Sequence, residues 1–261
     1  MTSKLFLGTS GWSYKDWINT FYPADLKPKD YLGFYTSKFT AVEIDATFYR
    51  IPSAKMVSGW YQNSPEHFIF SPKLPQKITH EKRLQNCSSE LTAFLTAISI
   101  LEEKLGPLVL QFDYAFTPEF LPQLTEFLPQ LPSTNRYAVE IRNRKWYECE
   151  AFFNLLEKYK CAFVLQDLYY MPKFFRLTAP FTYIRLLGNR KLIPDDFSHV
   201  RLDREEALND WARRIVELLN EGIEVYAFAN NRYQGHAPET IINLQQKIQQ
   251  HNEHRHQFRF F

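Results

Sequence analysis

The stretch Tyr137-Ala138-Val139-Glu140-Ile141-Arg142 (residues 137–142) closes on two alternating apolar and charged pairs. Successive strand side chains face opposite sides, so Val139 and Ile141 share one face and Glu140 and Arg142 the other. Seven more short apolar runs have β-strand composition, and most also end in a charged or amide residue. They are LFLGTS from Leu5, AVEID from Ala41, FIFSPK from Phe68, LVLQFD from Leu108, CAFVLQD from Cys161, TYIRLLG from Thr182 and VYAFANN from Val225. Helix-length amphipathic segments separate most of them. Strands alternating with helices predict βαβ units and a parallel sheet, and eight units in 261 residues have the size of one (β/α)8 barrel. The expected fold is α/β, a single-domain TIM-like (β/α)8 barrel of eight parallel strands over residues 1–261. The stretch from Asp167 to Pro180, interrupted by Met-Pro and Ala-Pro pairs, predicts an irregular connection between strands 6 and 7.

Helix signals fill the gaps. Ser88-Ser89-Glu90 offers N-cap hydroxyls before an apolar run that stops at Gly106-Pro107. The segment from Asp203 to Gly222 has an acidic first turn and an apolar stripe through Leu208, Trp211, Ile215, Leu218 and Leu219. Further helices are expected near residues 31–39, 54–63, 119–128, 149–159 and 239–250, with residues 252–261 as a basic C-terminal tail. Trp146 and Trp211 read as packing residues.

With 45% hydrophobic and 23% charged residues, the chain has the composition of a globular domain rather than of a disordered segment. A net charge of +2 gives no general attraction to nucleic acid or membrane, so any anion binding must come from local placement. The start Met-Thr-Ser-Lys lacks an apolar secretory segment, and no run of about 18 apolar residues occurs, so a cytoplasmic location without a membrane partner is expected. Cys87, Cys149 and Cys161 are odd in number and far apart, which supports neither a disulfide framework nor a CxxC metal site. The sequence leaves the oligomeric state open.

The strand parity of residues 139–142 extends to the other runs. A barrel's outer side is covered by helices, so Val42 and Ile44 should pack outward while Glu43 and Asp45 turn inward. Ser71 with Lys73, Gln111 with Asp113, and Tyr183 with Arg185 form comparable inward pairs, and Asp167 and Asn230 end two more strands. Active sites of this fold lie at the C-terminal strand ends and draw residues from several strands. The alternative is a polar plug in which Glu140 holds Arg142 or Arg185, because so many charges are costly to bury unless paired. The loop from Ser10 to Pro28 carries Trp12, Tyr14, Trp17, Phe21 and Tyr22, which would either close over a planar ligand or cap the barrel.

The order of motifs resembles the YecE-like proteins, the family of domain of unknown function 72. The resemblance rests on Gly8-Thr9-Ser10-Gly11-Trp12-Ser13-Tyr14, Phe21-Tyr22-Pro23, Val42-Glu43-Ile44, Thr47-Phe48-Tyr49-Arg50 and Pro52-Ser53. It continues through Lys73, Ile78-Thr79-His80, Leu105-Gly106-Pro107, Gln111-Phe112, Val139-Glu140-Ile141-Arg142 and Trp146. Asp167, Tyr183-Ile184-Arg185 with Gly188, Trp211-Ala212, and Asn230-Asn231 with Gly235-His236-Ala237 complete it, covering about residues 5–245. The resemblance implies a TIM-barrel-like fold and carries no assigned reaction. The chain departs from the family pattern at Leu187, often His there, at Asp45, commonly Asn, at Asp113-Tyr114, often Pro-Pro, and at Ala229, often Phe.

These residues predict an enzyme that acts on a small anionic substrate carrying phosphate or carboxylate. Lys73, Arg142 and Arg185 would clamp the anion, and Glu43, Glu140 or Asp167 would transfer protons, with hydrolysis the expected class. Gln111, His80, Asn230 and Asn231 join them as substrate-binding candidates. A nucleotide- or nucleic-acid-binding protein using Trp12, Tyr14, Trp17, Tyr49 and Arg50 is the alternative from another class, less favoured for want of a concentrated basic stripe. A Schiff-base lyase would rest on Lys73 alone. No cofactor is expected. A metal-dependent phosphoesterase has weak support, since His67, His80, His199 and His236 are scattered and show no ligand spacing.

Overall fold

The computed structural model describes residues 4–258, with side chains through residue 253. Eight strands form at the apolar runs: β1 Leu5–Thr9, β2 Ala41–Ile44, β3 Ile69–Pro72, β4 Leu108–Gln111, β5 Tyr137–Glu140, β6 Ala162–Leu168, β7 Phe181–Gly188 and β8 Glu224–Ala229. Their helical connections are α1 Tyr31–Thr36, α2 Ala46–Tyr49, α3 Ala54–Gln62, α4 Ser88–Ile98, α5 Leu121–Phe127, α6 Glu150–Lys158 and α7 Glu205–Asn220, and α8 Ala237–Phe258 follows the last strand. Residues 169–180, between β6 and β7, contain no helix. Ser88 and Ser89 lie inside the first turn of α4 rather than at its cap, which is Cys87. The backbone of α8 runs on to Phe258, so residues 252–258 continue a helix and are not a separate tail; 259–261 lie outside the described residues.

The expected closed eight-stranded barrel is not what the backbone forms. One sheet holds six parallel strands in the order β1-β8-β7-β6-β5-β4, and β2 and β3 pair as a separate two-stranded sheet. The six-stranded sheet curls through 186° and stays open. The architecture is α/β, a parallel half-barrel whose two edges face the β2-β3 pair across seams held by isolated bridges, one on one side, Ser10 to Glu43, and two on the other, Phe70 to Leu105 and Lys73 to Val109.

Local chemistry explains both seams. At the first, the Tyr35 hydroxyl accepts from the Thr9 N–H at 2.7 Å and donates to the Ala41 carbonyl at 3.1 Å, while the Leu7 N–H donates to the Thr40 hydroxyl at 3.0 Å. Side chains thereby take backbone groups that a continuous ladder would pair. A Cβ on Gly8 would lie 1.8 Å from the Ala41 carbonyl oxygen, so only glycine permits this approach. At the second seam, Pro72 ends β3 and Pro107 precedes β4, and neither has an N–H to donate.

Two apolar layers follow the strand parity. Val42, Ile44, Leu110, Val139, Ile141, Phe163, Leu165, Ile184 and Leu186 pack outward with the helices. Ala41, Val109, Ala138, Ala162, Val164, Phe181, Tyr183, Tyr226 and Phe228 form a second cluster within the curl.

Candidate active site

Two residues further along the strands, the inner face changes from apolar to polar. Glu43, Gln111, Glu140, Gln166 and Arg185 occupy it, all buried. Arg185 is 2% exposed and central. Its Nη2 donates to Glu43 Oε1 at 2.6 Å and to Asp45 Oδ1 at 3.4 Å, and its Nη1 donates to Glu140 Oε2. Ser10 Oγ donates to Glu43 Oε1 at 2.7 Å, the Tyr183 hydroxyl to Oε2 at 2.9 Å, and Arg142 Nε to Glu140 Oε1 at 2.7 Å. Burial is tolerable because the charges are mutually paired, the condition that such groups require.

The two carboxylates differ in environment. Burial pushes the Glu43 pKa up, Arg185 opposes, and Asp45 adds to the rise. Burial also disfavours the charged form of Glu140, but Arg185, Arg142 and Lys73 together hold its pKa at about 2. Glu140 is therefore a fixed anion, and Glu43 is the more readily protonated of the pair.

Above this layer opens a cavity of about 490 Å³. It is bordered by five Lys or Arg side chains, Lys73, Arg142, Arg185, Arg190 and Arg232, against a single carboxylate, Asp45. Lys73 Nζ stands 3.7 Å from Asp45 Oδ1 and 4.0 Å over the Phe48 ring. Burial lowers the Lys73 pKa, with Asp45 opposing and Arg185 adding to the fall. Burial likewise lowers that of His80, whose Nδ1 lies 2.8 Å from the Thr79 hydroxyl.

Lys73, Arg142, Arg185, Tyr49, Gln111, His80 and Asn230 come together around this cavity. Glu43 and Glu140 lie beneath it. Four other expected site residues do not line it, though Tyr14 lies near enough for the charges of Asp45, Glu43 and Arg232 to act on its hydroxyl. Asp167 faces outward, its Oδ2 accepting from Trp211 Nε1 at 3.1 Å and the Tyr233 hydroxyl at 3.0 Å. In β6 the residue sharing the face of Ala162 and Val164 is Gln166, which donates to the Ile141 carbonyl at 2.6 Å. Asn231 is buried and accepts from Trp17 Nε1 at 3.2 Å and from the Ala237 N–H at 3.0 Å, where α8 begins. Trp12 packs edge-on against Trp60, and Tyr14 packs on Trp17 and donates to the Ser10 carbonyl at 2.8 Å. With Trp17 and Tyr22 also buried, the aromatic loop caps the fold rather than bordering the cavity.

Asp167→Ala is therefore expected to destabilise the fold by about 1–3 kcal/mol, the cost of leaving buried donors unpaired. Urea denaturation measures this.

Several cavity residues escaped sequence reasoning. Asp45 was expected to face inward but not to act, although its place two residues after Glu43 was the available signal. Phe48, Tyr169, Tyr170, Arg190 and Arg232 come from connections whose paths no periodicity reports. Leu187 borders the cavity where the family pattern often carries His. Among the described residues no group of three or more His, Cys, Asp and Glu is placed to hold a metal ion, and no helix is long and apolar enough to cross a membrane.

Comparison with known proteins agrees with the motif resemblance. The family described as "Protein of unknown function DUF72" matches residues 6–259. The UPF0759 protein YecE of Escherichia coli K12 is 31% identical over 143 residues, 55% of this chain and 50% of YecE, so the match spans about half the length of that relative. The UPF0759 protein YunF of Bacillus subtilis is 25% identical over 262 residues, covering 89% of this chain and 90% of YunF. A DUF72 family crystal structure from Thermotoga maritima superposes with a TM-score of 0.77 at 28% identity, covering 94% of this chain and 99% of that one. Another from Enterococcus faecalis gives 0.74 at 23% identity, covering 94% and 95%, a likeness of fold. The chain belongs to the DUF72 family.

Proposed function

We propose that this member of the DUF72 family is an enzyme whose cavity takes a small substrate bearing phosphate or carboxylate and works on it by general acid-base chemistry. The carrying observation is the cavity wall: five Lys or Arg side chains line it beside one carboxylate, with Arg185 and Arg142 also held by Glu43 and Glu140 from beneath and Arg232 by Asp195. Arg142 offers a planar fork suited to paired oxygens, and Lys73 adds a point charge. Glu43 and Glu140 are enclosed beneath the cavity, so their role is to fix Arg185.

The proton-transfer pair is Lys73 and Asp45, both bordering the cavity. A lysine with a lowered pKa gives up its proton more readily than a free one, and the adjacent carboxylate can accept a proton from water. Hydrolysis is the reaction class this pair serves most directly: Asp45 draws a proton from the water whose oxygen attacks the ester, the bond to the leaving oxygen breaks as Lys73 gives that oxygen its proton, and the remaining cations neutralise charge developing on the substrate oxygens.

Turnover of a panel of phosphomonoesters and carboxylic esters tests the proposal. A substrate found with the wild type should still be bound by Asp45→Asn, with kcat reduced about 100-fold or more. Unchanged kcat in Asp45→Asn and Lys73→Met would remove the pair from the mechanism. An absence of both binding and turnover across the panel would overturn the proposal.

A further inference from the structure

We infer that the anion held in this cavity carries a planar ring, which makes its substrate class a nucleoside phosphate; the inference rests on the anionic-substrate proposal above. Four of the chain's 15 tyrosines are exposed, and three of these four border the cavity: Tyr49 at 71%, Tyr169 at 51% and Tyr170 at 44%. The fourth, Tyr114 at 74%, stands away from the cavity, and the other eleven pack inside or at half-buried positions. A ring left in water beside a cationic cavity is an available stacking surface, because every nucleobase has a π-face and tyrosine buries large area at small entropic cost.

The three rings come from two different connections. Tyr49 ends α2, after β2, whereas Tyr169 and Tyr170 follow β6. Tyr169 and Tyr170 stand edge to face, with centroids 5.0 Å apart and planes at 85°, so the pair presents rings in two orientations. Deeper in the cavity wall, Gln111 is 3% exposed and its Nε2 has no hydrogen-bond partner. A buried side-chain donor without a partner is costly, and this amide, with less than 1 Å² exposed, would meet a ligand acceptor after a turn of its side chain. Exposed rings at the rim with cations and an unpaired amide within match a molecule with a planar ring at one end and an anion at the other.

Size and charge favour a mononucleotide over a strand. The cavity's roughly 490 Å³ lies in the range of small-molecule sites. The net charge of +2 shows no general excess of the kind that tracks a phosphate backbone.

Calorimetric titration with inorganic phosphate, ribose 5-phosphate, the four ribonucleoside 5′-monophosphates and oligonucleotides of increasing length tests this, using wild type, Tyr49→Ala and a Tyr169→Ala/Tyr170→Ala double variant. These exposed positions should leave the melting temperature unchanged, so folding does not confound the result. At least one nucleotide should bind roughly 5- to 100-fold more tightly than ribose 5-phosphate, the increment of base stacking. That increment should fall in Tyr49→Ala, with affinity for inorganic phosphate constant; the double variant also removes the Tyr170 contact with Arg142, so its increment is read against its own phosphate affinity. Equal affinity of the wild type for ribose 5-phosphate and all four nucleotides would overturn the ring and leave the anion site standing. Affinity that climbs steadily with oligonucleotide length would also overturn it, in favour of a strand. If no anion binds at all, the proposed function itself fails, and the ring with it.

Discussion

Arg185→Met should cost about 3–5 kcal/mol of stability at pH 7, because it removes the cation from between two buried carboxylates. Glu140 would keep Arg142, but Glu43 would be left with only the Ser10 and Tyr183 hydroxyls. The cost reflects stranded charge, so neutralising the stranded group should recover part of it: Glu43→Gln/Arg185→Met is expected to be more stable than Arg185→Met alone. The pH dependence has a definite sign. Glu140 titrates at about 2 in the folded protein against an ordinary 4.5, so its contribution is complete above pH 4.5 and is lost as pH falls toward 2. The gap between wild type and Arg185→Met should be widest above pH 4.5 and narrow below it. Urea denaturation at several pH values reads both effects. A variant within 1 kcal/mol of wild type at pH 7 would mean that the paired charges do not hold the inner layer together.

Gly8→Ala should be comparably damaging for a purely steric reason. The new Cβ would lie 1.8 Å from the Ala41 carbonyl oxygen, 2.7 Å from its carbon and 2.9 Å from the Tyr35 hydroxyl. Backbone cannot yield as a side-chain tip does, so β1 and β2 would have to part, at about 3 kcal/mol or more. Gly33 and Gly59 are internal controls, since they lie in α1 and α3 and a Cβ there meets nothing within 4 Å. Alanine at either should leave stability unchanged or raise it by up to about 1 kcal/mol. Thermal melts of the three variants followed by circular dichroism would separate these outcomes. If Gly8→Ala melted with the controls, the first seam would be looser than its hydrogen bonds indicate.

That seam also marks where sequence reasoning about the fold stops. Each strand was legible, because apolar runs of β-rich composition announce themselves locally. Closure was not. Whether β1 and β2 share a ladder depends on Tyr35, a residue of α1 whose hydroxyl intervenes between them, and no strand pattern carries that information. Pro72 and Pro107 did carry a signal at the second seam, since each removes a donor, but only knowledge of which strands are neighbours makes it readable.

Parity served the site well where it was applied to whole strands. It turned Glu43, Lys73, Gln111, Glu140, Arg142 and Arg185 inward, and all six are there, whereas Asp113, turned inward with Gln111, lies past the end of β4 and holds Arg83 instead. Asp167 was assigned by its charge at a strand end instead. Counting from Val164 in β6 would have turned Gln166 inward and Asp167 toward Trp211. The tyrosines and arginines of the rim belong to connections, where neither period applies, and only the folded chain brings them to the cavity.

Calorimetric titration of inorganic phosphate into wild type and Arg142→Ala, at low and high ionic strength, is the most direct test of a cationic ligand site at the strand ends. Arg142→Ala leaves Glu140 paired with Arg185, so the floor of the cavity should survive the substitution. Saturable binding by the wild type, weakened by salt and reduced about tenfold or more in the variant, is the predicted result. Absence of binding, or equal binding by both proteins, would contradict it and return the buried charges to a purely structural role.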